Sequence, residues 1–141
     1  MQLGLRLSLF LIFVCFISSI VSYGQTFNPD QPFSIGNSER SITKQSSIKD
    51  TVMCKGWIIS REKLPVLISS ATLIDGHTWH TDFEVLPCVI IGQLIQNGQA
   101  YNFEINAGSW ISVFNKDTVI RLGNYRKSHE KFFLVKALKN W

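Results

Sequence analysis

The chain has 141 residues, 45% of them hydrophobic and 17% charged, and a formal net charge of +4 at pH 7. This length supports a single domain with a real core. After residue 24 no apolar run is long enough to span a membrane. The basic excess gathers at the C-terminal end, where Lys116, Arg121, Arg126, Lys127, Lys131, Lys136 and Lys139 face only Asp117 and Glu130. Such a surface attracts anionic lipid, polysaccharide or nucleic acid, although a solvated face is the default for a charge run.

In chain order, the first element is a targeting segment. Arg6 is the only charge before residue 25, Leu7 to Val21 is apolar except for Ser8, Ser18 and Ser19, and Ser22-Tyr23-Gly24 is a small-x-small triplet. A basic start, an apolar run and a small-residue exit describe a secretory signal peptide over residues 1–24, with cleavage expected after Gly24. The alternative is an uncleaved anchor, disfavoured because no basic stop-transfer cluster follows. Cys15 lacks the preceding small residues of a lipid-attachment site. The mature protein is therefore expected to be exported, periplasmic or secreted, with no stable transmembrane segment.

Residues 25–50 are rich in Ser, Asn and Gln, contain Pro29 and Pro32, and read as a flexible polar leader with room for one short strand. From residue 51 the chain becomes β-branched and aromatic. Val52 to Ile59 predicts a strand and Pro65 to Ile74 a second one, closed by an Asp75-Gly76 turn, with Thr78 to Leu86 as its hairpin partner. The strongest local signal is Val89 to Gln96 and Gln99 to Asn106 around Asn97-Gly98, a hairpin signature. On the return strand Tyr101, Phe103 and Ile105 share a packed face, and Asn102, Glu104 and Asn106 a wet one. Trp110 to Phe114 and Thr118 to Leu122 predict another hairpin, and Lys131 to Leu138 a last strand. The expected fold over residues 51–141 is all-β: a single small antiparallel sandwich or barrel, without a convincing amphipathic helix.

Without Cys15, the cysteines left are Cys54 and Cys88. An even count in an oxidising compartment favours a disulfide, the alternative being two buried free thiols.

The densest set of polar ligand types is His77, His80, Asp82 and Glu84. In a turn, His-x-x-His beside carboxylates suits zinc; on a strand the two histidines point to opposite faces. Together these four residues define one enzymatic reading, a small secreted hydrolase or metal-dependent enzyme. No metal site or cofactor is expected, and no catalytic residue is assigned, because no nucleophile sits in a recognisable signature. His129, in a charged loop, reads as solvated. Trp57 and Trp110 lie in strand-like runs and read as core, whereas Trp79, among polar residues, and Tyr125, beside Arg126 and Lys127, are the candidate binding contacts.

Lys55-Gly56-Trp57-Ile58-Ile59, Pro65, Ser70-Ala71-Thr72-Leu73-Ile74 and Thr81-Asp82-Phe83 together resemble the carboxypeptidase regulatory-like domain. The chain has Glu84-Val85-Leu86 where that family places a turn glycine. The resemblance implies a transthyretin-like β-sandwich and a non-catalytic accessory module. The leading expectation is thus an exported binding module whose partner is an envelope protein or polysaccharide, export arguing against nucleic acid. A third class is a secreted enzyme inhibitor presenting the Asn97-Gly98 loop.

Overall fold

A computed structural model describes residues 25–43 and 47–138. The expected signal peptide, residues 1–24, lies outside the described residues, as does Lys139 of the basic run.

Among the described residues six strands form one antiparallel sheet: β1 (Ser34–Ile42), β2 (Thr72–Ile74), β3 (Cys88–Gln96), β4 (Gln99–Asn106), β5 (Trp110–Phe114) and β6 (Val119–Gly123), in the order β1-β3-β4-β5-β6-β2. The middle four are a meander of tight hairpins. Asn97 and Gly98 take φ of 51° and 73°, the left-handed pair that lets a two-residue turn follow the strand twist. The antiparallel β domain read from the sequence is therefore present. It is not a barrel, because β1 and β2 are edges and do not pair with each other.

The alternation on β4 sorts the sheet into two faces. Ile90, Ile105, Ile111 and Leu122 lie opposite one another across four strands, and Phe103 is paired with Gly92 and Val113. All of these except Gly92 are buried, as is Leu94. Burial of each such side chain contributes about 1.5–3 kcal/mol.

The helices that close this core correct the expectation of strands before residue 87. The segment read as strand from Val52 is α1 (Ile48–Lys55) as far as Lys55. Ser47 and Asp50 form a reciprocal capping box: Asp50 Oδ2 accepts from Ser47 N–H at 2.8 Å and Ser47 Oγ from Asp50 N–H at 3.2 Å. The first orphan donors of the helix are thereby satisfied. Pro65 to Ile74 is α2 (Leu64–Ser69) followed by the three-residue β2. Pro65 occupies the first turn, where its missing N–H costs nothing. Leu64, Leu67 and Ile68, at i, i+3 and i+4, all enter the core. Thr78 to Leu86 is α3 (Gly76–Asp82) as far as Asp82, and Asp75 is its cap rather than a turn residue, Oδ1 accepting from Thr78 N–H at 2.7 Å. The segment that carries the family resemblance thus holds one short strand and helical turns.

Two further expectations change. Residues 25–43 are packed chain, not a loose leader: Phe27 is buried against Phe33 and Tyr101. The buried Gln96 amide bonds Asn28 on both sides, donating to its carbonyl at 2.7 Å and accepting from its N–H at 2.8 Å. Lys131 to Leu138 is not a strand. A 3-10 turn (Lys127–Phe132) leads into chain that donates from Leu134 and Val135 N–H to Ala107 O. Trp57 is core, as expected, and its Nε1–H donates to Phe132 O at 2.9 Å.

Cys54 and Cys88 are joined in a disulfide that ties the end of α1 to the first residue of β3. Among the described residues no helix is long and apolar enough to cross a membrane.

Candidate functional site

The sequence candidates Trp79 and Tyr125 both lie around α3, at one end of the sheet face opposite the core. The Trp79 ring meets Trp110 nearly edge-on at 5.2 Å, and the Arg121 guanidinium stands 4.7 Å from its centroid. The indole Nε1 is buried without a hydrogen-bond partner among the described residues. Tyr125 donates from its hydroxyl to Asp82 Oδ2 at 2.9 Å, and its ring lies 5.2 Å from Phe83. Burial, and then the Asp82 carboxylate, push the phenol well above its ordinary range. The fold thus engages both aromatic rings in holding α3 onto β6.

The helix changes the geometry of the ligand-like segment. His77 and His80, three residues apart on α3, share one side of the helix rather than opposite faces of a strand. Both are exposed. Asp82 is taken up by Tyr125 and by the Thr81 hydroxyl, and Glu84 lies beyond the helix end with its carbonyl accepting from Trp110 Nε1–H. Among the described residues no three His, Cys, Asp or Glu side chains are grouped closely enough to hold a metal ion.

His129 is buried, not solvated. Its Nδ1 lies 3.3 Å from Ser70 Oγ and 3.2 Å from Asn124 Oδ1. A Ser, a His and an Asn are thus side by side, but both contacts converge on one ring nitrogen. A relay needs the nucleophile on one nitrogen and the orienting group on the other. Ser70 also donates to Val66 O at 2.6 Å, and Asn124 Nδ2 to Leu67 O at 3.4 Å. The trio closes the α2 end against the C-terminal turn. Desolvation, then Arg126 and Lys131, hold the imidazole below its ordinary pKa.

The remainder of the outer sheet face has a different character. α3 covers it only at the Trp110 end. Beyond that, two rows of side chains cross the strands. Glu39, Ile91, Glu104, Ser112 and Arg121 are register partners in one row, and Gln93, Asn102, Phe114 and Val119 in the next. Between them lies an open concavity of about 470 Å³, lined by Asn37, Ser38, Glu39, Ile91, Gln93, Asn102 and Phe114, with Gly92 and Phe103. Ligand pockets typically fall at roughly 300–1,000 Å³. A register shift in β1 between Ile35 and Ser38 shapes one wall. It brings Asn37 O so close to Gly92 that a Cβ there would meet it at 2.6 Å, and the Phe103 ring at the same distance. Only glycine fits at this crossing.

Glu104 stands beside this concavity, opposite Ile91 and two residues from Asn102. It is half-buried, and desolvation raises its carboxyl above the usual range. Its carboxylate makes no hydrogen bond or ion pair among the described residues. Asn106, the third residue of the expected wet face, is instead buried, accepting from Leu86 N–H and Gly108 N–H and donating to Leu86 O.

Comparison with protein-family models, curated proteins and solved structures finds no match. Sequence reasoning located the polar side of β4 but not the site, because Glu39 and Asn37 belong to a strand hidden in a polar, proline-containing stretch. The alternation of Asn102 and Glu104 was the one available signal.

Proposed function

We propose that this protein is an exported, non-catalytic recognition module that holds an envelope partner, protein or polysaccharide, against the uncovered face of its sheet. One observation carries the reading: a concavity in the sheet face, lined mostly by apolar surface from Ile91, Phe103 and Phe114 with amides and a carboxylate around it, and flanked by a half-buried carboxylate that accepts no hydrogen bond from the described residues. The Glu104 carboxylate is open to solvent beside a concave surface and is available there to a ligand. Rigid strands on both sides hold the lining side chains in place before binding, which lowers the ordering cost of association.

Export is supported by the apolar N-terminal segment with its small-residue exit and by the Cys54–Cys88 disulfide, a bond that persists in oxidising compartments. N-terminal sequencing of the protein recovered outside the cytoplasm is expected to begin at Gln25. Recovery with Met1 intact overturns cleavage.

The binding face is tested with a photo-crosslinking residue placed in the full chain at Gln93 or Asn102, both exposed, and at Lys49 on α1 as control. In the producing cell, adducts are expected from positions 93 and 102 and not from 49. Adducts only from 49, or from none of the three, overturn the assignment of this face.

A further inference from the structure

The chemistry of the concavity goes beyond a binding face and names a ligand class; the inference rests on the recognition reading above. Gln93, Asn102 and Phe114 are successive register partners on β3, β4 and β5. Their side chains therefore form a row across three strands, about 10 Å from end to end at the usual strand spacing, roughly the length of a disaccharide unit. Two primary amides stand at one end and an aromatic ring at the other.

An amide offers two donors and two acceptor lone pairs. A sugar hydroxyl both donates and accepts, so neighbouring hydroxyls of a pyranose can be met in both senses by one amide. The apolar C–H face of the same ring suits an aromatic side chain, which supplies contact area at low conformational cost. Glu39 lines the concavity and Glu104 flanks it; carboxylates accept from hydroxyl pairs. Among the described residues, no Lys or Arg lines the concavity. Arg121, in the Glu104 row, stands over the Trp79 ring. The lining thus has nothing to neutralise sulfate or uronate, and Glu39 opposes both. The apolar part of the lining, Ile91, Phe114 and the Phe103 ring, suits the C–H faces of sugar rings, and the amides and carboxylates around it suit their hydroxyls.

We propose that the Gln93–Asn102–Phe114 row, with Asn37, Glu39 and Glu104 beside it, is a subsite for a neutral oligosaccharide, one ring stacking on Phe114 and its hydroxyls bonding the amides and carboxylates. Such binding is governed by hydrogen bonds and stacking and is nearly independent of ionic strength.

The test is an array of neutral glycans, with sulfated and uronic-acid glycans as controls, probed with the intact oxidised protein. Calorimetry then follows on the best neutral hexasaccharide. Neutral glycans are expected to bind with little change between low and high salt. Asn102→Ala is expected to weaken the best of them about tenfold, which corresponds to about 1.4 kcal/mol. Phe114→Ala is expected to do at least as much and Phe114→Tyr to restore it, while Lys49→Ala has no effect. Asn102 is exposed, so its variant keeps the test open if Phe114→Ala does not fold.

Binding confined to anionic glycans overturns the inference, as does neutral binding unchanged in folded Asn102→Ala and Gln93→Ala. If no glycan binds while crosslinks from positions 93 and 102 carry a protein, the sugar assignment falls and the recognition reading stands. If neither is seen, both fall.

Discussion

Asn106 shows how a strand residue can be read on the right face and given the wrong surroundings. Its alternation with Asn102 and Glu104 places it opposite the core, but the chain at Leu86 crosses over it, and three hydrogen bonds to Leu86 and Gly108 absorb its amide. Asn106→Ala leaves two N–H groups and one carbonyl without partners in a buried setting, each costing about 1–3 kcal/mol when water cannot replace the bond. We expect the variant to lose about 2–4 kcal/mol in urea unfolding, with part of the loss recovered by entering water.

His129 sets a pH response of definite sign. Its folded pKa is depressed, chiefly by burial. Below the ordinary value of 6.5 the unfolded chain takes up the proton first, so stability falls as pH falls. This contribution is fully present above about pH 6.5 and declines below it until the folded imidazole itself titrates. Urea midpoints followed downward from pH 7.5 should show this decline. His129→Gln, which does not titrate, should flatten it. A slope that persists unchanged in the variant assigns the effect to other groups.

At the scale of elements, the Cys54–Cys88 bond is a link between layers, fastening α1 to the leading end of β3. The loop it closes spans a sequence separation of 34. On the chain-entropy account a loop of this length contributes about 3–4 kcal/mol by restricting the unfolded chain. The Cys54→Ala, Cys88→Ala double variant is expected to lose about that much in equilibrium unfolding, and dithiothreitol should lower wild type to the same level. A wild-type midpoint insensitive to reductant would show that the helices hold without the bond.

The meander of β3 to β6 was legible in the sequence, and the helices were not. Asn97-Gly98 forces one turn type, and six residues of apolar–polar alternation on β4, from Tyr101 to Asn106, repeat the strand period three times. α2 has only six residues, fewer than two turns, and α3 seven. A period of 3.6 cannot declare itself in so short a run. Within α2 only the spacing of Leu64, Leu67 and Ile68 carries it, and the same residues suit a buried strand. What distinguishes α1 and α3 is their caps, Ser47 with Asp50, and Asp75, residues that also read as turn formers. The site was legible only in part: Asn102 and Glu104 could be placed on a face, Gln93 and Phe114 were read only as parts of strands, and Asn37 and Glu39 depended on recognising β1.

For the whole molecule, the edges of the sheet are of unequal length. β2 offers three residues, too short to template another strand, while β1 offers nine. Exposed edges of that length invite pairing with other chains. Arg61 lies against β1 and donates to the carbonyls of Ile35, at 3.3 Å, and Gly36, at 2.7 Å. The register shift between Ile35 and Ser38 bends the same stretch. Arg61→Ala removes this cover, and we expect it to raise self-association at high concentration, read by sedimentation velocity, with the monomer's stability little changed. An unchanged sedimentation profile would mean the bend alone protects the edge.

The pairing of β1 with β3 also orders assembly in time. β1 leaves the ribosome before the other five strands, and α1, α2, β2 and α3 must all follow before the strand it binds exists. The hairpins from β3 to β6 close over short distances as soon as they are made, because loop closure costs least there. The N-terminal strand is therefore a latecomer to a sheet built largely from its successors. Until then its hydrogen-bonding groups are open to any chaperone that waits for the chain.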